Sequence, residues 1–188
     1  MTRTVAVFVR SLRKGSINRQ YARVLEALAR DRLSFEFVRI DDLPLYNDDL
    51  WSDGVAPDPV MRMKAQVAAT AGALIVTPEY NRSIPGALKN ALDVGSRPYG
   101  HSIWQGKPAA IVSYGGVSAG LRAAEHSQQV MNALQMMVIK PAVSIPMVAQ
   151  MVKDGTFEPT DIVEKSVKPM LDELHRWGVT LKDMRDKK

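Results

Sequence analysis

The sequence predicts a doubly wound α/β fold, in which one parallel sheet carries helices on both faces. Two observations support this prediction: short apolar segments recur five times, and segments with helical periodicity separate them. The apolar segments span residues 5–9, 35–40, 73–76, 109–112 and 142–145. Several of them are apolar without alternation, which is typical of strands covered on both faces of a parallel sheet.

The segments between these strands show the spacing of amphipathic helices. The helical stripes comprise Tyr21, Leu25 and Leu28, then Val130, Ala133, Leu134 and Met137, and finally Val163, Val167, Met170, Leu171, Leu174 and Leu181. Parallel strands need crossover connections, which are nearly always right-handed. We therefore predict one five-stranded, flavodoxin-like sheet with strand order 2-1-3-4-5, in a single domain over residues 1–188.

The composition excludes several kinds of site. Cysteine is absent, which rules out zinc fingers, thiolate nucleophiles and iron–sulfur clusters. The histidines His101, His126 and His175 lack metal-ligand spacing, so we predict no metal site. No apolar run approaches the roughly 18–20 residues of a membrane span, and the first residues do not resemble a signal sequence. We therefore expect a cytoplasmic protein with no membrane partner.

The charge distribution argues against nucleic acid as a partner. The formal net charge is +5, from 25 Lys and Arg against 20 Asp and Glu. Nucleic-acid binding requires a clustered basic surface, whereas these basic residues are spread along the chain. The only dense group lies at residues 10–19, which favours a small anionic ligand there.

In doubly wound sheets, ligands bind beyond the carboxyl ends of the strands, which directs attention to three loops. The loop after the first strand offers hydroxyl groups at Ser11 and Ser16, the guanidinium of Arg13 and the amide of Asn18. A helix N-terminus presents free N–H groups to a phosphate. Composition alone leaves two interpretations open: these residues bind a phosphate, or Ser16 and Asn18 cap the first helix.

The loop after the third predicted strand, residues 77–86, is stiffened by two prolines. Tyr80 could shield a ring face there, and Asn81 could hydrogen-bond a ring carbonyl. The alternative is an ordinary turn into a helix that begins at Pro85. Taken alone, this loop fits the ordinary turn somewhat better.

The loop after the fourth predicted strand begins Ser113-Tyr114-Gly115-Gly116. Its glycines allow the backbone to approach a flat ligand closely, and Tyr114 could add a stacking surface. A Gly-Gly turn by itself is a weak signal. Three ligand-compatible loops at neighbouring strand ends are a much stronger one.

Two of these loops resemble the NAD(P)H-dependent FMN reductases, a family that includes chromate reductases, quinone reductases and some azoreductases. The first motif spans residues 11–19 and reads Ser-Leu-Arg-Lys-Gly-Ser-Ile-Asn-Arg. The second spans residues 78–93 and reads Pro-Glu-Tyr-Asn-x-Ser-x-Pro-Gly-x-Leu-Lys-Asn-Ala-Leu-Asp. The resemblance covers nearly the whole chain in matching order and spacing.

The resemblance implies a bound FMN and three groups of contact residues. The phosphate would be held by Ser11, Arg13, Ser16 and Asn18, one ring wall would be formed by Pro78, Glu79, Tyr80 and Asn81, and the other by Ser113, Tyr114, Gly115 and Gly116. It also implies hydride transfer from NADPH or NADH to the flavin, without a catalytic side chain of the protein. The acceptor would be a quinone, an azo compound, chromate or free flavin, reduced by ping-pong kinetics in a homodimer or homotetramer.

Two positions depart from the family pattern, and one alternative function stays open. Arg10 stands where the family has Gly, and Ala119 where a second Gly-Gly pair is common. We expect Arg10 to point away from the phosphate and to change FMN affinity without abolishing it. The alternative is a flavodoxin-type electron carrier without its own NAD(P)H turnover, although such carriers are usually acidic.

Overall fold

The computed structural model describes residues 2–9, 17–29, 31–51, 54–140 and 142–187, except for the side chains of residues 17–19. The strands in these ranges are β1 (Arg3–Val9), β2 (Leu33–Phe37), β3 (Gly72–Pro78), β4 (Pro108–Tyr114), β5 (Met137–Val138), β6 (Val143–Ile145), β7 (Val152–Lys153) and β8 (Thr156–Phe157). The α-helices are α1 (Ile17–Ala29), α2 (Asp58–Ala68), α3 (Gly86–Gly95), α4 (Leu121–Ala133) and α5 (Asp161–Asp186), and short 3₁₀ helices cover Asp48–Trp51 and Val148–Met151. None of the helices in these ranges has the length and apolar character needed to cross a membrane.

The central sheet has the strand order β2-β1-β3-β4-β5, and its neighbouring strands are parallel. The chain runs outward from β1 to β2, then crosses over β1 to begin β3 on the other side. The predicted order 2-1-3-4-5 is therefore confirmed. A separate antiparallel hairpin is formed by β7 and β8.

The two faces of the sheet carry separate apolar cores. In β1, Ala6 and Phe8 belong to the core under α2, α3 and α4, whereas Val5 and Val7 belong to the core under α1 and α5. Helices on both faces are thus confirmed. The strands lack alternation because both sets of side chains are removed from water.

The fifth position of the sheet is shared by two short strands. β5 pairs with the first two residues of β4, and β6 pairs with its last three. The prediction of a strand at residues 142–145 is confirmed by β6, but the prediction missed β5. The predicted second strand at residues 35–40 is also displaced, since β2 covers Leu33–Phe37.

The end of α4 corrects the predicted helical stripe, which included Met137. The helix ends at Ala133 because Gln135 adopts a left-handed backbone with φ of 60°. The N–H of Met136 then donates to the carbonyl of Met131 at 3.0 Å. This is the Schellman ending of a helix, and it releases the next residues into β5.

Candidate functional site at the carboxyl edge of the sheet

Three strands of the sheet end side by side at one edge. β1 ends at Val9 beside Val76 of β3, and β3 ends at Pro78 beside Tyr114 of β4. The loops that follow these strands therefore leave the sheet at the same edge. The strand order reverses direction at β1, and open α/β sheets bind ligands beside such a reversal.

The loop after β1 carries the predicted phosphate contacts. Ser11, Arg13 and Ser16, together with the unusual Arg10, lie outside the described residues. Asn18 belongs to the first turn of α1, but its side chain is outside the description as well. Their assignment to a phosphate stays a prediction.

The β7–β8 hairpin contacts the first turns of α1 through two hydrogen bonds and one pair of aromatic rings. The amide of Gln20 donates to the carbonyl of Gly155 at 2.7 Å and accepts from the N–H of Phe157 at 2.7 Å. Tyr21 packs edge-on against the Phe157 ring, with centroids 5.0 Å apart, and burial raises the pKa of its hydroxyl. The hairpin therefore packs against the first turns of α1.

The loop after β3 begins with a tight two-residue turn. The N–H of Tyr80 donates to the carbonyl of Ser83, and that of Ser83 to the carbonyl of Tyr80, both at 2.9 Å. Between them, Asn81 and Arg82 have φ values of 49° and 65°. This hairpin geometry normally selects glycine or asparagine, so Arg82 is held in an unfavourable conformation.

The Glu79 carboxylate connects this loop to the first turn of α4. One oxygen accepts from the backbone N–H of Arg122, and the other pairs with the guanidinium of the same residue, both at 3.2 Å. Glu79 thereby caps a helix whose preceding residue, Gly120, has no side chain to do so. Its negative charge also complements the positive end of the helix dipole.

A second contact joins the loop to α4 one turn further along the helix. The hydroxyl of Ser83 lies 2.6 Å from Nδ1 of His126, in a partly buried position. Since Arg122 and His126 are four residues apart, both face the loop from the same side of α4. The helix therefore contacts both ends of the tight turn.

The loop after β4, which is the second predicted wall of the ring site, is held in place largely by backbone hydrogen bonds. The N–H of Gly115 donates to the carbonyl of Ile145 at 3.1 Å. The N–H groups of Met147 and Val148 donate in return to the carbonyls of Gly116 and Gly115, both at 3.0 Å. The segment after β6 thus supports the glycine pair from behind, a contribution that the sequence did not reveal.

The side chains of Ser113 and Tyr114 are directed into the protein. Ser113 is fully buried, with its hydroxyl 2.9 Å from that of Ser144. Tyr114 is 7% exposed and belongs to the core on the α1 and α5 face. Tyr114 therefore does not offer the exposed stacking surface that its place in the loop suggested. Gly115 and Gly116 follow Ser113 and Tyr114 at the strand end.

Sequence reasoning missed the residues that hold the loops in place. Asn90 in α3 accepts from the N–H of Tyr46 at 2.8 Å and donates to the carbonyl of Pro44 at 2.9 Å, which fixes the loop after β2. Arg122 and His126 fix the loop after β3. Asn90 falls inside the second motif, whereas the four-residue spacing of Arg122 and His126 is common to any amphipathic helix. Their partners were not visible, because they lie about 40 residues away in sequence.

The described walls fit the polar edge of a flat heterocycle such as the isoalloxazine ring. Within the described ranges, the backbone N–H groups of Asn81, Arg82 and Gly116 donate to no acceptor, so they can serve ring carbonyls and nitrogens. A Cβ added at Gly116 would meet no atom within 4 Å, which leaves open space beside this backbone. Pairing of Glu79 with Arg122 reduces the negative charge that would oppose an anionic cofactor.

The chain is similar in sequence to proteins named as quinone reductases. The chain is 50% identical over 124 residues to a quinone reductase of Pseudomonas putida, an alignment that covers 66% of each protein. It is 52% identical over 120 residues to a 2-hydroxy-1,4-benzoquinone reductase of a Burkholderia species, covering 64% of the chain and 63% of the relative. The matched part thus spans just under two thirds of the length of these relatives.

Solved structures agree over a longer stretch. FerB, a flavoenzyme NAD(P)H:(acceptor) oxidoreductase of Paracoccus denitrificans, superposes with a TM-score of 0.85 at 38% identity, covering 95% of this chain and 98% of that one. A WrbA-like flavodoxin of Agrobacterium tumefaciens has a TM-score of 0.53 at 13% identity and covers 97% and 99% of the two chains. The flavodoxin-like fold is thereby confirmed.

The family comparison agrees with the motifs of both loops. The sequence model described as NADPH-dependent FMN reductase matches residues 3–150, which include all three loops at the carboxyl edge. The predicted resemblance is therefore confirmed. The chain belongs to the NADPH-dependent FMN reductase family.

Proposed function

We propose that the chain is an FMN-dependent oxidoreductase that takes a hydride from NADPH or NADH and passes two electrons to a quinone. The observation that carries this proposal is the pair of loops after β3 and β4, which offer open space beside Gly116 and backbone N–H groups that have no acceptor among the described residues. Quinone reductases are among the similar proteins, and the family is described by its FMN reductase activity.

In this proposal, FMN lies along the carboxyl edge of the sheet and contacts all three loops. Ser11, Arg13, Ser16 and Asn18 would hold the phosphate, and Pro78, Glu79, Tyr80 and Asn81 would line one side of the ring. Gly115 and Gly116 would line the other side, together with the backbone rather than the buried side chains of Ser113 and Tyr114. Bound FMN supplies the chemistry, by accepting a hydride at N5 and returning two electrons to the acceptor. The protein contributes binding, orientation and charge.

An apolar rim around the mouth of the site favours a quinone over chromate as the acceptor. Tyr80, Val117 and Met147 are exposed large apolar side chains on the loops after β3, β4 and β6, and Leu121 is another in the first turn of α4. Such side chains bind a flat, uncharged ring better than they bind a small oxyanion. Aromatic azo compounds also present flat, uncharged rings, so we propose them as acceptors too. We expect chromate and free flavin to be weaker acceptors.

We further propose that the chain acts as a single FMN-binding domain over residues 1–188, in a cytoplasmic homodimer or homotetramer. A groove lined by Trp51, Val55, Met61 and Pro98 supports the oligomer, because Val55 and Met61 are exposed apolar residues on the surface. Light scattering of the FMN-loaded protein tests the assembly.

Reconstitution followed by steady-state kinetics tests the proposed function. We expect the purified chain to bind one FMN and to reduce a neutral benzoquinone with NADPH over many turnovers. Double-reciprocal plots at several quinone concentrations should be parallel, as ping-pong kinetics require. An FMN-loaded protein without NADPH turnover would instead be a flavodoxin-type carrier. A protein that binds no FMN would contradict both functions.

A further inference from the structure

We propose that Ser83 and His126 are positioning residues that hold the tight turn after β3 in its FMN-binding conformation. This inference rests on the proposed function of the same site. It assigns a role to one face of α4, which none of the predicted FMN contacts occupies. The contact between the Ser83 hydroxyl and Nδ1 of His126, at 2.6 Å, is its basis.

The turn needs external support because its backbone is strained. Asn81 and Arg82 both have left-handed φ values, of 49° and 65°. Left-handed backbone is uncommon outside glycine and asparagine, and it persists where surrounding contacts fix it. The two hydrogen bonds between Tyr80 and Ser83 close the turn, but they belong to the strained unit itself.

α4 supplies this support at both ends of the turn. Glu79, just before the turn, is held by the backbone N–H and guanidinium of Arg122. Ser83, its last residue, is held by His126. The two helix residues are one turn apart, so a rigid element sets the separation of the two ends. A loop fixed in this way presents the N–H groups of residues 81 and 82 in one orientation.

The Ser83–His126 contact is the better target for a test than the Glu79–Arg122 pair. Glu79 is a predicted FMN contact, so its removal would mix positioning with direct binding. Ser83 and His126 lie outside the predicted contact set. The Nδ1 atom of His126 accepts from the Ser83 hydroxyl or donates to it, depending on the tautomer of the ring.

The experiment is a double-mutant cycle with conservative rescue. Ser83→Ala, His126→Ala and the double variant remove the contact, whereas Ser83→Thr and His126→Asn keep a hydrogen-bonding group at each position. Gln129→Ala, at an exposed position further along α4, is the matched control. The readouts are FMN dissociation constants, the visible spectrum of bound FMN, melting temperatures and amide hydrogen exchange of residues 79–84 in FMN-free protein.

We expect each single alanine variant to raise the FMN dissociation constant about fivefold, the factor that corresponds to a hydrogen bond of about 1 kcal/mol. The double variant should also raise the FMN dissociation constant about fivefold, because the contact can be removed only once. Hydrogen exchange of residues 79–84 should accelerate in the same variants. Ser83→Thr, His126→Asn and the control should stay near the wild type in every readout.

Several results would overturn the inference. These are an unchanged FMN dissociation constant, effects that multiply in the double variant, or unchanged exchange of the turn. If His126→Ala does not fold, the comparison of Ser83→Ala with Ser83→Thr decides, since only the hydroxyl separates them in hydrogen bonding. Loss of FMN binding by the wild-type chain would refute the proposed function. Normal wild-type binding with unaffected variants would refute only the positioning role.

Discussion

Replacing Gly120 with alanine is expected to destabilise the fold because this glycine brings the start of α4 against the end of β4. Its φ is 72°, and an added Cβ would lie 2.8 Å from the carbonyl oxygen and 3.1 Å from the amide nitrogen of Tyr114. Left-handed backbone costs alanine about 1–2 kcal/mol, and a forced contact with immobile backbone about 1–3 kcal/mol more. We therefore expect a loss of about 3 kcal/mol and a melting temperature lowered by roughly 6–12 °C.

Gly116→Ala is the matched control, and it separates stability from binding. Gly116 does not have a left-handed φ, and an added Cβ would meet no atom within 4 Å. The free energy of unfolding should therefore change by less than about 0.5 kcal/mol. The new methyl group would occupy the space assigned to the flavin ring, so the FMN dissociation constant should rise about tenfold, or about 1.4 kcal/mol.

Denaturant unfolding of FMN-free protein and FMN titration by fluorescence measure the two effects separately. If Gly120→Ala is as stable as the wild type, the packing argument for the start of α4 is refuted. If Gly116→Ala binds FMN as tightly as the wild type, the placement of the ring beside this backbone is refuted. Both variants should retain the secondary structure content of the wild type by circular dichroism.

Four further substitutions test packing, burial and hydrogen bonding in the rest of the fold. Gly95→Ala should lower the melting temperature, because its Cβ would lie 2.6 Å from the buried Trp104 ring. Gly178→Ala should instead raise the free energy of unfolding by about 1 kcal/mol, because Gly178 lies in a helix interior and its added Cβ would have its nearest contact at 3.6 Å. Burial lowers the pKa of Lys107 from 10.5 to about 8, so the unfolded chain holds this proton more tightly. The free energy of unfolding, measured relative to Lys107→Met, should therefore rise between pH 8 and pH 10.5, and a flat difference would refute the argument. Asn90→Ala should cost about 2 kcal/mol and increase hydrogen exchange in the loop after β2, because it removes two hydrogen bonds.

The order of the sheet was predictable because the strands are buried on both faces. Val5 and Val7 pack under one pair of helices while Ala6 and Phe8 pack under the others, so the run is apolar at every position. Such runs separated by helical segments leave few allowed topologies. The same alternation predicted which loops meet at one edge, before any residue of the site was considered.

The division between α4 and β5 was not predictable from periodicity. Met137 continues the apolar spacing of the helix, and only the left-handed backbone of Gln135 ends it. Glutamine carries no strong preference for that conformation, so the stop signal lies in the hydrogen bonds of the ending. Apolar periodicity does not report such a backbone choice.

The supporting contacts of the site were hidden for a different reason. The sequence predicts only that His126 lacks metal-ligand spacing, and its spacing from Arg122 is compatible with any amphipathic helix. Only the fold brings it within 2.6 Å of Ser83, across 43 positions of the chain. Pair contacts over such distances require the three-dimensional arrangement of the loops.

Anaerobic reduction of the FMN-loaded protein by NADPH tests the central claim most directly. We predict that one equivalent of NADPH bleaches the visible absorbance of one bound FMN, and that one equivalent of a neutral quinone then restores the absorbance by accepting two electrons from the reduced FMN. Parallel runs with NADH establish the donor preference. Bound FMN that NADPH fails to bleach would contradict the account and identify an electron carrier instead.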